Sequence, residues 1–213
     1  MNFKRSLSLL FLACFISSSL WAEDGLGSDL RLNAHFPLLK NVDVSMTEYL
    51  RFVGDFSTLK WSMTLAEFEY KPITPIKLIA GYALFLQGDK ENQVRNRYHL
   101  SASWKHPFNK VTLEARARFQ SAYVVGRTLS IDGFREMLKA SLPHKHFNFY
   151  TFIEPYHNAH KSFSLTKIRF AGGLGYSLTK HHRIDGYYYY HHFIVSDLIN
   201  FEHLIGMGYS YSF

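Results

Sequence analysis

The body of this chain alternates. From Asp29 to Phe36, Leu30, Leu32, Ala34 and Phe36 fall on one face of an extended strand, and Asp29, Arg31, Asn33 and His35 on the other. Between Arg95 and Trp104 the same rule sets Tyr98, Leu100, Ala102 and Trp104 against Arg95, Arg97, His99, Ser101 and Ser103. Val111 to Gln120 is the cleanest case, with Val111, Leu113, Ala115, Ala117 and Phe119 opposite Thr112, Glu114, Arg116, Arg118 and Gln120. From Lys167 to Leu178, Ile168, Phe170, Leu174 and Tyr176 oppose Lys167, Arg169, Ala171, Gly173, Gly175 and Ser177. A helix would scatter these sets around its circumference, whereas a strand sorts them.

Other stretches sort less well. Val42 to Phe52 alternates until Glu48, which falls on the apolar face. Leu59 to Tyr70 changes phase near Ala66, which predicts a bulge there or the end of the apolar zone. Phe147 to Tyr156 is aromatic on both faces and carries Glu154 on the polar one. Arg183 to Ile194 has four consecutive tyrosines, Tyr187 to Tyr190, so both faces receive rings. Aromatics on the outside as a girdle and on the inside as a stack would account for this.

The connections differ by side. Those at Pro72–Pro75, Pro107–Lys110, Pro143–His146 and Lys180–His182 are short. Those at Gly54–Thr58, Gly88–Gln93, Gly126–Gly133 and Asn158–Ser164 are longer or more polar. Short turns on one side and longer loops on the other are the habit of an outer-membrane barrel, the short side being periplasmic. Eleven candidate strands can be counted, an odd number. Single-chain bacterial barrels are even, so twelve is expected, with ten as the competitor.

The two ends bear on the solvent. Lys4 and Arg5 precede an apolar run from Leu7 to Ile16, and Leu20-Trp21-Ala22 precedes Glu23-Asp24. This is a secretory signal peptide, residues 1–22, cleaved after Ala22. The run is too short for a membrane helix. A lipoprotein signal ending at Cys14 would leave apolar Phe15 and Ile16 behind the anchor. Removing the signal takes away Cys14, the one cysteine, so the domain of residues 23–213 has no disulfide. Losing Lys4 and Arg5 lowers the formal charge from +7 to +5. No nucleic-acid module accompanies that charge. At the other end, Gly208-Tyr209-Ser210-Tyr211-Ser212-Phe213 puts three rings on one face and tiny residues on the other. Exposed to water, such an end would aggregate; exposed to lipid, it is the girdle of a closing strand.

Lipid therefore fits better than water. A soluble sandwich or lipocalin-like barrel would bury the apolar faces, but here Gly, Ser and Ala recur on the polar face and aromatics gather at strand ends. With no membrane-length helix after the signal, a closed barrel is the available way to pair every backbone group in lipid. The expected fold is all-β: a transmembrane antiparallel up-and-down β-barrel of ten to twelve strands, in the outer membrane of a Gram-negative bacterium, surrounded by outer-membrane lipid.

If apolar points outward, the polar face lines a lumen. That face holds Arg31, Arg51, Arg95, Arg97, His99, Glu114, Arg116, Arg118, Arg135, Lys139, Glu154, Lys167, Arg169 and Arg183, with His35 and Asp185 in the same phase. An arginine turned to lipid at the midplane costs about 2–4 kcal/mol. Cations outnumber carboxylates. Two uses compete: Arg–Glu and Arg–Tyr networks that brace a narrow wall, or a basic lumen that admits small anions.

Catalytic and metal chemistry find little support. Histidines come in near pairs, 144/146, 157/160, 181/182 and 191/192; His144 and His146 share a strand face but flank an expected turn with no carboxylate nearby to orient a metal ligand, so no metal or cofactor is expected. His160-Lys161-Ser162 has the spacing of a histidine-activated serine. It sits in an expected loop, without an acidic partner. The chain reads as no enzyme, with a lipid-modifying hydrolase as the competing class.

Glu48-Tyr49-Leu50-Arg51-Phe52, Arg95-Asn96-Arg97-Tyr98, Glu114 to Phe119, Ile153-Glu154-Pro155-Tyr156 and Ile168 to Tyr176 occur in that order. This succession resembles an uncharacterised bacterial outer-membrane β-barrel family, domain of unknown function 2490, over about Asp29 to Phe213. The resemblance implies architecture and location, and no catalytic residues. The basic lumen is also similar to that of the narrow porins for acidic oligosaccharides, without a shared motif. Tyr209, Tyr211 and Phe213 look like the C-terminal signal read by the barrel-assembly machinery, the expected partner besides lipid and small anionic solutes.

Overall fold

The computed structural model describes residues 26–53, 58–87, 93–126, 130–159, 163–195 and 198–213. The signal peptide and the His160-Lys161-Ser162 triplet lie outside the described residues. Eleven strands follow one another: β1 (Leu26–Leu39), β2 (Val42–Val53), β3 (Thr58–Ile73), β4 (Ile76–Gln87), β5 (Val94–Phe108), β6 (Val111–Val124), β7 (Ser130–His144), β8 (Phe147–Asn158), β9 (Ser164–Ser177), β10 (His182–Val195) and β11 (Leu198–Ser212). Each pairs with its neighbours in sequence, and β11 returns to β1 to close the barrel.

The even strand number is thereby corrected. With an odd count, the first and last strands run the same way, and β1 and β11 pair in parallel from Leu26↔His203 to His35↔Ser212. All other neighbours are antiparallel, so the barrel is mixed. Closure leaves no sheet edge along this register, which lipid requires.

The outside is apolar and the inside polar, the reverse of a water-soluble core. Leu100 is 65% exposed and Leu138 63%, while inward His99 and Arg118 are 3% and 6% exposed. With strands of twelve to sixteen residues, against about 9–11 needed to cross hydrocarbon, the strand ends project beyond the apolar belt. The four tyrosines divide as alternation demands: Tyr187 and Tyr189 point inward and stack at 4.7 Å, and Tyr188 faces out. A second outward cluster joins Tyr82 to Tyr98 at 5.1 Å and Tyr98 to Tyr123 at 6.4 Å.

Two irregularities of pattern have physical causes. The register shifts opposite Lys60, where Arg51 pairs with Trp61 and Phe52 with Leu59. The bulge is there and not near Ala66. The change of phase along β3 arises because Met63 and Leu65 face inward and pack with Ala83 as an apolar patch of the lumen. Glu48 faces outward beside Leu32, and its carboxylate accepts a hydrogen bond from the Thr64 hydroxyl at 2.6 Å.

The chain ends in a packed corner. Phe213 stacks on Phe36 with centroids 4.3 Å apart and meets Tyr211 edge-on at 4.6 Å. Its amide donates to the His35 carbonyl at 3.0 Å. The terminal aromatics therefore seal the short-turn end of the parallel seam.

Candidate functional site: the charged lumen

Strand register puts every charged position anticipated for the lumen on the inner face: Arg31 on β1, Arg51 on β2, Arg95, Arg97 and His99 on β5, Glu114, Arg116 and Arg118 on β6. Arg135 and Lys139 follow on β7, Glu154 on β8, Lys167 and Arg169 on β9, and Arg183 on β10. The structure sorts most of them into three networks.

The first is centred on Glu154, which is 2% exposed. Its carboxylate lies 3.2 Å from Arg116, 3.8 Å from Arg135 and 3.3 Å from Arg169. It also accepts from the Tyr156 hydroxyl at 2.8 Å. From there the charges continue round the wall. Arg169 Nε donates to His191 Nε2 at 2.8 Å, and His191 Nδ1 lies 3.0 Å from Glu202. A guanidinium can only donate, so Nε2 accepts and Nδ1 carries the hydrogen given to Glu202. Glu202 then meets Arg51 at 3.6 Å and Lys60 at 3.4 Å, and Arg51 grips Asp29 with two bonds of 2.7 and 2.8 Å. The ladder passes from β6 through β8, β9, β10 and β11 to β2 and β1.

The second network crosses the lumen. Arg118 on β6 reaches Glu67 on β3 at 2.9 Å and Ser101 at 2.8 Å, and His99 Nε2 lies 2.9 Å from the same Glu67 oxygen. The third is at the short-turn end, where Asp43 bonds Lys71 and lies 3.5 Å from His35, and Glu69 accepts from Lys77 at 2.9 Å. The donor atoms of His35, Asp43 and Glu69 lie within 4.8 Å of one another, the one such trio among the described residues. Two lysine ammoniums already occupy its carboxylates.

Large side chains are seated against glycines. A Cβ on Gly206 would stand 2.0 Å from the Tyr187 ring, and one on Gly81 would stand 2.1 Å from His99. The small residues of the polar face are thus the holes into which the lumen's bulk fits. Arg31 spreads over Tyr187 at 5.0 Å. On the inner face Leu204, His191, Ala83 and Glu154 have almost no exposed surface.

Some predicted residues stand apart. Arg97 contacts Met63 Sδ at 3.3 Å and the Phe85 ring at 4.7 Å, and Lys167 sits 4.0 Å over Tyr156. Neither is in an ion pair with a carboxylate among the described residues. Lys139 lies 4.8 Å over Tyr150, and Arg183 bonds Asp185 at 2.6 Å. Glu114 pairs in register with Lys139, and Arg95 joins none of the three networks. Alternation missed Glu67, Lys60, His191 and Glu202. The last two share the inward phase of Tyr189 and Gly206, so period two carried extra signal; the phase change along β3 hid Glu67 and Lys60.

The histidine pairs separate. His191 is inside and His192 outside, His144 and His146 are exposed at a turn, and His157 lies outside, 3.1 Å from Glu136. His181 and His182 contact the Ser212 carbonyl and the Tyr209 hydroxyl, each at 2.6 Å.

At the long-loop mouth the ladder opens into a cavity of about 420 Å³. Arg51, Lys60, Lys167, His191 and Glu202 form its polar side, and Leu26, Val53, Phe193 and Phe201 its apolar side.

The anion-selective porin from Comamonas acidovorans is similar in structure at 13% identity and a TM-score of 0.42, over 81% of this chain and 53% of the porin. A second porin, refined at 1.8 Å, matches at 12% identity and a TM-score of 0.38, over 78% and 58%. This chain spans little more than half the length of either. No curated protein matches it. A family profile, described as a protein of unknown function (DUF2490), matches residues 30–198. That match takes in most of β1, all of β2 to β10, and Glu154, Glu67 and Arg51: the chain belongs to the DUF2490 family.

Proposed function

We propose that this protein is a non-catalytic barrel of the bacterial outer membrane, braced shut near mid-height, with a basic upper vestibule that favours small anions. The observation that carries this is Glu154, buried and held by three arginines and a tyrosine. A carboxylate so placed locks three strands to one point, and the guanidiniums occupy the space a solute would need. The outward belt of leucines and rings supports a lipid surround.

Reconstitution into planar bilayers tests the reading. Wild-type protein is expected to give no steady porin-sized conductance. A large, persistent current would overturn the braced lumen. A second reading, a narrow anion channel, is favoured by Arg97 and Lys167, which face the lumen with no carboxylate partner among the described residues. It predicts a small conductance with a reversal potential set by anions; preference for cations would sink it.

A further inference from the structure

The cavity at the long-loop mouth is half charged and half apolar, and its apolar half draws on both faces of the wall, with Val53 and Phe193 from the inward series. Arg51, Lys60, Lys167, His191 and Glu202 belong to the inward series of their strands. Leu26 and Phe201 belong to the outward series of β1 and β11. Their presence in the lining means that the cavity reaches the parallel seam. Leu26, the first described residue of β1, pairs with His203, the neighbour of Glu202 on β11. Glu202, beside His203 on β11, is tied to Arg51 and Lys60 by ion pairs.

The charges do not cancel. Glu202 is shared by Arg51 and Lys60, and Asp29 takes two bonds from Arg51. Lys167 has no carboxylate partner among the described residues; its ammonium rests 4.0 Å from Tyr156 and 5.5 Å from Phe193. Its three donors need acceptors, and ring faces satisfy an ammonium less well than an oxyanion does. We infer that the vestibule is a binding site for a small organic anion with an apolar body, an aromatic or short aliphatic carboxylate. The carboxylate would meet Lys167, with Lys60 and Arg51 beside it, and the body would lie on Phe193, Leu26 and Phe201. A volume of about 420 Å³ lies within the range for small-molecule sites. An inorganic ion would leave the apolar half uncovered, and a neutral apolar molecule would leave Lys167 unsatisfied.

This inference rests on the basic vestibule of the proposed function, but its test needs no transport. Protein purified from membranes is placed in zwitterionic lipid nanodiscs and titrated calorimetrically with benzoate, benzyl alcohol, benzylamine and sodium chloride. Benzoate is expected to bind saturably, at least about ten-fold tighter than the other three. Lys167→Gln should weaken benzoate by about ten-fold or more, and Lys167→Arg should restore it. Lys77→Gln, which removes a cation at the opposite rim, should leave it unchanged. Equal binding of benzoate and benzyl alcohol, or full affinity in Lys167→Gln, would overturn the site. A conducting pore in bilayers would overturn the braced lumen while leaving this result standing.

Discussion

Removing the Glu154 carboxylate should be among the costliest single changes in the lumen. Glu154→Ala leaves Arg116, Arg135 and Arg169 facing one another with nothing between them. Each lies between 3.2 and 3.8 Å from the carboxylate. At an effective dielectric of about 20, a unit pair at 4 Å is worth roughly 4 kcal/mol. Desolvation and mutual repulsion among the arginines offset much of the sum. Deleting one member of a buried ion pair costs about 3–5 kcal/mol, whereas exposed pairs contribute about 0–1 kcal/mol. With Glu154 only 2% exposed, the buried figure applies. The assay is urea unfolding in lipid vesicles, followed by the shift between folded and unfolded bands on an unheated gel. Adding Arg169→Met to Glu154→Ala should recover part of the loss, because it removes one uncompensated charge. A loss below about 1 kcal/mol for Glu154→Ala would show that water screens this cluster and would refute the braced lumen.

Three further outcomes are expected. Gly206→Ala drives a methyl into the Tyr187 ring and should cost about 1–3 kcal/mol by overpacking; Tyr187→Ser in the same chain should relieve it, read by the same unfolding assay. Leu100→Arg turns a cation to lipid near the middle of β5 and should cost about 2–4 kcal/mol, while Glu48→Leu, which removes a carboxylate from that surface, should raise stability, and equal effects in vesicles and in water-filled detergent gaps would contradict a lipid surround. Phe213→Ala loses the stack on Phe36 and should lower the fraction of newly made protein that becomes heat-modifiable in membranes, measured by pulse-chase; unchanged assembly would remove the terminal ring from that role.

What could be read from the chain, and what could not, follows from the range of each signal. Alternation is a local property, so Arg116 and Arg118 declared themselves inward from the ten residues Val111–Gln120. The four tyrosines at 187–190 looked ambiguous because β10 carries rings on both faces, Tyr187 inward and Tyr188 outward. Pairing across the lumen is not local. Arg118 and Glu67 are 51 residues apart, and no periodicity within either strand says that they meet. The phase change along β3 hid Glu67 for a related reason. Met63 and Leu65 break the polar pattern because they pack on Ala83 across the β3–β4 pair, and a reader of one strand sees only the break. Strand parity failed differently. The expectation of an even count is a statement about how barrels usually close, whereas closure here is made by backbone bonds between Leu26–His35 and His203–Ser212. Both segments alternate equally well for a parallel or an antiparallel neighbour, so the direction of the seam leaves no mark on hydrophobic pattern. Tyr209 and Phe213 continue the outward apolar series of β11, and Phe36 supplies the ring that ties that series to β1.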